Sequence, residues 1–224
     1  ATSSQARHGL HESFAGMIEV FRIPRLWPIL AMAFVSYPVT ITILGLWGAP
    51  WLIDAYGIDT VTAGNVLLGM AVALMIASMV LGPLERRLNT RKRLAIGFST
   101  AVGIALVLLA ALPAPPLFLG AALLVVIGGS SAYNIIVASH GRSLFPDRLA
   151  GRGMALIGIA LMGGPFIMQA ITGLIVGAFE APETAGGAVP LVAYRAVFAF
   201  LAACIVAANL LYLRVPDAKP SAGF

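Results

Sequence analysis

Gly82-Pro-Leu-Glu-Arg-Arg-Leu-Asn-Thr-Arg-Lys-Arg-Leu94 sets Arg86, Arg87, Arg91, Lys92 and Arg93 between two long apolar runs. Hydrocarbon roughly 30 Å thick takes about 20 residues of helix, at about 1.5 Å rise each, to cross. The runs on either side, 60–84 and 94–112, meet that length, so this stretch is a basic turn joining two membrane helices. Working outward, four more apolar segments follow the same rule, about 28–53, 117–138, 153–179 and 194–213. The stretch Leu94 to Phe145 holds one ionised residue, Arg142, and is divided by Pro113-Ala-Pro-Pro116, because proline ends helices. It therefore contains two spans.

Six crossings return the chain to the side on which it began. Of the 14 Lys and Arg residues, all but Arg195 then fall on one side. They are Arg7, Arg22 and Arg25; the five in the basic turn; Arg142, Arg148 and Arg152; and Arg214 and Lys219. Basic residues near span ends stay cytoplasmic. Both termini are expected in the cytoplasm, with loops 54–59, 113–116 and 180–193 outside.

A chain that is 60% hydrophobic and 10% charged exceeds what a soluble domain carries. The net charge of +5 does not indicate nucleic-acid binding, since the basic residues sit at span ends where they set topology and meet lipid head groups. The lone Cys204 cannot form an intrachain disulfide. Arginine outnumbers lysine and Ala and Gly abound, a bias that suggests a GC-rich bacterial genome and hence a bacterial inner membrane. Residues 1–27 read as a cytoplasmic amphipathic segment, with Leu10, Phe14, Ile18 and Phe21 at helical spacing and Glu12, Glu19 and Arg22 opposite. The six-helix domain occupies 28–213, and 214–224 form a cytoplasmic tail.

A tight turn between membrane helices needs a residue that tolerates positive φ, and Asn89 supplies it. The basic turn resembles the short loop of the major facilitator superfamily, whose pattern runs Gly-x-Leu-Ala-Asp-Arg-x-Gly-Arg-Arg/Lys. Gly82, Leu84, Arg87 and Arg91 match that pattern. Glu85 stands at its alanine, Arg86 at its aspartate, Asn89 at its second glycine and Thr90 at an arginine. The charge lock of that loop would then fall to Glu85, one position early. Leu144-Phe-Pro-Asp-Arg148, leading into Gly151, Gly153, Gly158, Gly163-Gly164-Pro165 and Gly173, is similar to a second-half segment of the same family. Gly164-Pro165 also resembles the family's antiporter motif, although Ala160 and Met168 stand where that motif prefers glycine.

Taken over residues 10–214, the chain looks like the C-terminal six-helix half of a twelve-helix facilitator: an all-α integral membrane fold of two inverted three-helix repeats. The resemblance implies that spans 1, 2, 4 and 5 line a central cavity, while spans 3 and 6 face lipid or packing partners. It also implies a second six-helix half, from the same chain, a dimer mate or a partner chain. Gly158, Gly163, Gly164 and Gly173 would allow close helix approach, and Ala199, Ala203 and Ala207 form a small-residue stripe suited to helix contact.

No carboxylate, Lys, Arg or His lies near the middle of any span, so a titrating group for ion coupling would have to come from elsewhere. Uncharged polar residues are the candidates for solute contact. Tyr37, Thr40, Leu44, Trp47 and Trp51 follow one another at helical spacing, with Trp47 and Trp51 placed for an outer aromatic belt. Ser130, Ser131, Tyr133 and Asn134 follow Gly128-Gly129, and the two serines can bond their own helix carbonyls. Phe166, Gln169 and Gly173 share a face. We take Tyr37, Thr40, Tyr133, Asn134 and Gln169 as the substrate-binding set. His140 and Arg142 read as a solvated span end, and Arg195 as an interfacial partner of Glu180 and Glu183. No metal-ligand spacing, phosphate loop or activated nucleophile appears, so neither enzyme chemistry nor a cofactor is expected. Two functions fit: movement of a small solute by alternating access, or a non-transporting membrane scaffold built on the same fold.

Overall fold

The computed structural model describes residues 19–23, 25–179 and 189–220. Among them, six helices are long and apolar enough to cross a membrane: α1 (Leu26–Tyr56), α2 (Thr60–Leu88), α3 (Lys92–Ala111), α4 (Leu117–Arg142), α5 (Asp147–Gly177) and α6 (Leu191–Tyr212). No strand occurs among the described residues. The amphipathic segment up to residue 18, and Glu180 and Glu183, lie outside them.

Local chemistry sets the helix ends. Gly57, at φ 64°, closes α1, and Asn89, at φ 48°, closes α2 in the left-handed region. The Asp59 carboxylate caps α2, accepting from the Val61 and Thr62 N–H groups at 2.8 and 2.9 Å. Bonds from the Thr62 N–H and hydroxyl lead the causes that hold the Asp59 carboxyl below the usual range. Pro116 and Pro190 precede the first residues of α4 and α6.

Packing shows a two-fold relation between the halves of the bundle. The most extensive contacts join α1 to α5, α2 to α4 and α3 to α6. Exchanging α1 with α4, α2 with α5 and α3 with α6 maps this set onto itself. Burial obeys the same exchange. In the most apolar window of each helix, 61% of residues are buried in α1 and 50% in α4, 44% in both α3 and α6, and only 11% in α2 and 17% in α5. Three crossings reverse the chain's direction, so the second triplet is an inverted copy of the first. The core lies along α1 and α4, with Leu26, Ile29, Met32, Ile127 and Tyr133 fully enclosed.

Each of the symmetry-related pairs is pinched at one glycine. A Cβ on Gly128 of α4 would lie 2.2 Å from the Met70 carbonyl oxygen of α2. One on Gly164 of α5 would lie 2.4 Å from Pro38 Cγ and 2.7 Å from the Phe34 oxygen of α1. Pro38 has no N–H, so the Phe34 carbonyl lacks its usual donor four residues on, and Gly164 lets α5 close over it. The wider glycine pattern is a correction: Gly158, Gly163 and Gly173 have open space where a Cβ would go, since the buried stripe of α5 runs through Gly153, Ile157, Gly164, Met168 and Thr172. The Ala199, Ala203 and Ala207 stripe is likewise exposed, not packed inside this bundle.

Candidate functional site

The two most buried helices are also the two that break. The ladder of α1 slips into a π-turn over Ile43–Trp47. That of α4 is interrupted after Ser130 and resumes at Tyr133. Gly128-Gly129 weakens α4 there, and the Ser131 hydroxyl bonds back to the Ile127 carbonyl at 2.6 Å. The breaks lie at comparable distances along two symmetry-related helices. α1 stays helical through its π-turn, and only Ser131 and Ala132 leave the helix of α4; such irregular backbone at membrane depth is tolerated where protein or a cavity receives it.

The buried hydroxyls of Thr42 and Tyr133 flank these breaks, and neither has a hydrogen-bond partner among the described residues. A buried polar atom left so costs about 1–3 kcal/mol, which calls for a reason. Tyr133 belongs to the expected set. Thr42 does not; a strict helical spacing passes over it, because the π-turn shifts the register just beyond it.

The other expected residues are placed as follows. Tyr37 is half-buried on the open stripe of α1, with Phe34, Ile41 and Leu44. Thr40 is buried, and its hydroxyl leans on the Ser36 carbonyl of its own helix at 3.5 Å. Asn134 is half-buried beside exposed Ile135. Gln169 is half-buried on the open side of α5, next to Phe166 at 77% exposure and exposed Gly173. The grooves between α1, α5 and α6 and between α3 and α6 are lined by other residues.

Trp47 and Trp51 are not a lipid-facing belt. The Trp47 indole N–H donates to the Thr172 hydroxyl at 2.9 Å, and its ring meets Tyr194. Trp51 is 4% exposed and packs edge-on against Tyr56 and Phe198. The π-turn rotates this end of α1 inward, and the Tyr194 hydroxyl donates to Asp54 at 2.6 Å. Arg195 donates to the Ala110 carbonyl at 2.7 Å, capping the end of α3; its expected partners Glu180 and Glu183 lie outside the described residues.

At the basic end, the Arg91 guanidinium donates to Glu85 at 2.6 Å, an ion pair within the turn. Gly82 and Arg87 are exposed and Leu84 half-buried. Sequence reasoning missed the residue that organises this end. Asp217, beyond α6, accepts from the Thr90 hydroxyl and from the Arg91 and Lys92 N–H groups, capping α3. Burial pushes its carboxyl up, but those bonds outweigh burial and hold it below its ordinary value. His140 is fully buried rather than solvated: Nδ1 lies 2.5 Å from the Tyr212 hydroxyl and Nε2 3.1 Å from the Pro216 carbonyl oxygen. Arg142 pairs with Asp147 at 3.2 Å. Arg148 makes a two-pronged pair with Glu19, which holds the Glu19 carboxyl below the usual range.

Solved structures with this arrangement include one titled the inward-open conformation of the xylose transporter XylE from E. coli. The likeness has a TM-score of 0.65 at 15% sequence identity, and covers 90% of this chain and 49% of that one. The chain thus spans about half the length of that transporter. No curated protein matches the sequence. The family profile described as Major Facilitator Superfamily matches residues 29–223. Together with two inverted triplets around paired broken helices, that match makes this multi-pass membrane chain a member of the major facilitator superfamily.

Proposed function

We propose that this chain is one six-helix half of a twelve-helix transporter that moves a small, uncharged, polar solute by alternating access. The observation that carries the reading is the pair of broken helices α1 and α4, with the unpartnered Thr42 and Tyr133 hydroxyls beside the breaks. Transporter sites lie near the midplane at repeat interfaces, built on discontinuous helices. Tyr37, Thr40, Tyr133, Asn134 and Gln169 supply hydroxyl and amide groups and no charge, which suits hydrogen bonding and aromatic contact with a neutral solute. A single half offers only one wall of such a cavity, in keeping with the grooves between α1, α5 and α6 and between α3 and α6 being lined by other residues. The apolar, weakly buried faces of α2 and α5 suit docking of a second half. A proton-carrying or ion-binding residue would come from that half.

The basic end faces the cytoplasm in this reading, by the charge asymmetry of the connections; labelling of Arg86→Cys from the cytoplasmic side alone checks it. For the site, Asn134→Leu and Gln169→Leu each remove a neutral hydrogen bond worth about 0.5–1.5 kcal/mol. Solute affinity should fall about two- to twelvefold in each, with the fold and thermal stability intact. The measurement is binding and uptake in proteoliposomes, with solutes selected from a panel of neutral compounds. Unchanged binding in both variants would remove this pair from the site. Stable docking on a larger complex, with no uptake of any solute, would favour the scaffold reading.

A further inference from the structure

Between α1, α5 and α6 runs a groove of about 600 Å³ whose walls are almost entirely apolar. Leu30, Phe34 and Val35 line it from α1, Ile167 and Ile171 from α5, and Cys204 from α6. With no polar lining side chain, it offers nothing to the hydrogen-bonding solute proposed above. Its shape is long rather than round. Leu211 to Phe200 alone spans about 16 Å of helix. Such a slot suits a single hydrocarbon chain lying along the bundle.

The mouth of the groove identifies what carries that chain. Trp27, 56% exposed and stacked near Phe21, stands at the basic end of its α1 wall. Indole rings favour the head-group level of a bilayer. Arg25 directly precedes α1 and Arg214 lies two residues beyond the end of α6, so an exposed arginine stands next to the basic end of each of these two groove walls. Neither arginine forms an ion pair among the described residues, although Arg91, Arg142 and Arg148 all do. Two unpaired cations over an apolar slot complement an anionic phosphate above an acyl chain.

We propose that this groove is a binding site for an anionic phospholipid, with one acyl chain seated between α1, α5 and α6 and its phosphate held by Arg25 and Arg214. Zwitterionic lipid can fill the slot, but its head group gains little from the arginine pair. The site is independent of solute transport, so uptake is not the readout and failure here leaves that reading untouched.

The test uses the full chain in vesicles of phosphatidylcholine, with phosphatidylglycerol added and one lipid or the other brominated in its acyl chains. Bromine quenches Trp27, and Trp27→Phe identifies that signal against Trp47 and Trp51, which lie at the far end of α1. Brominated phosphatidylglycerol should quench Trp27 at about 25-fold lower mole fraction than brominated phosphatidylcholine, about fivefold from each arginine. Each basic residue near a membrane contributes about fivefold to the binding of an anionic lipid. Arg25→Gln and Arg214→Gln should each cut the preference by about that factor, and the double variant should abolish it. Both sites are exposed, so folding is preserved, and Arg93→Gln on α3 serves as a basic control that keeps the preference. Ala207→Phe, which fills the groove wall, should reduce quenching by phosphatidylglycerol to the phosphatidylcholine level. Equal quenching by the two lipids, or a preference that survives the double variant, overturns the proposal. A Trp27 quenched by neither lipid overturns it too, since protein would then cover the groove.

Discussion

Gly128→Val and Gly164→Val should each destabilise the bundle by about 1–3 kcal/mol or more, the range for overpacking an interior contact. Gly163→Ala, one residue away, should be neutral or slightly stabilising. The contrast follows from what the added carbon meets. At Gly128 it meets the Met70 backbone oxygen at 2.2 Å, and at Gly164 the Pro38 ring and the Phe34 oxygen. Backbone cannot rotate aside as a side chain can, so α4 must part from α2, or α5 from α1. At Gly163 nothing lies within 4 Å. There only the helix propensity changes, which favours alanine over glycine by about 1 kcal/mol. Unfolding midpoints in detergent, read by loss of helical signal, measure all three. Similar midpoints for Gly163→Ala and Gly164→Val would contradict the close packing of α1 on α5.

Asp217→Ala should cost about 1–2 kcal/mol, the range for losing a helix cap. Three donors at the start of α3 converge on this carboxylate, and its tail also places the Pro216 carbonyl against His140. The effect is pH-dependent with a definite sign. The folded carboxyl titrates below its ordinary value, so its stabilisation is fully present above the unfolded pKa. It fades as pH falls through the depressed folded value. The gap between wild type and Asp217→Ala should therefore be widest from pH 5 upward and narrow toward about pH 3. A gap that stays constant down to acid pH would mean that the cap does not depend on the carboxylate charge.

The residues explain which of these features could be read in advance. Span number, the basic turn, the left-handed Asn89 and the Glu85 substitution are local facts of composition and spacing. The family resemblance rests on the same short motifs. Asp217 was not legible, because it caps a helix that starts 125 residues earlier in the chain and no periodic pattern marks such a pairing. His140 looked like a solvated span end until Tyr212 and Pro216 closed over it from the other end of the sequence. The tryptophan belt failed because one π-turn after Thr42 re-aims everything beyond it. Among the glycines, a single step of about 100° around α5 separates Gly164, pressed on α1, from Gly163 in open space.

The candidate site was legible only as chemistry. Tyr37, Asn134 and Gln169 stand out as uncharged polar groups within apolar runs, and all three stay half-buried on partly open faces. Thr42 is distinguished by an unpartnered hydroxyl, which only the folded chain reveals.

On the proposed function, the open faces of α2 and α5 meet a second six-helix half rather than lipid. Nitroxide labels at Met79 on α2 and Phe166 on α5, 72% and 77% exposed, test this directly in bilayers. Ile104 on α3 and Val206 on α6, 57% and 50% exposed, are the lipid-facing references. Collision rates with molecular oxygen, which concentrates in hydrocarbon, should be several-fold lower at positions 79 and 166 than at 104 and 206. Equal and high rates at all four would contradict the account, because this bundle would then stand in the membrane alone.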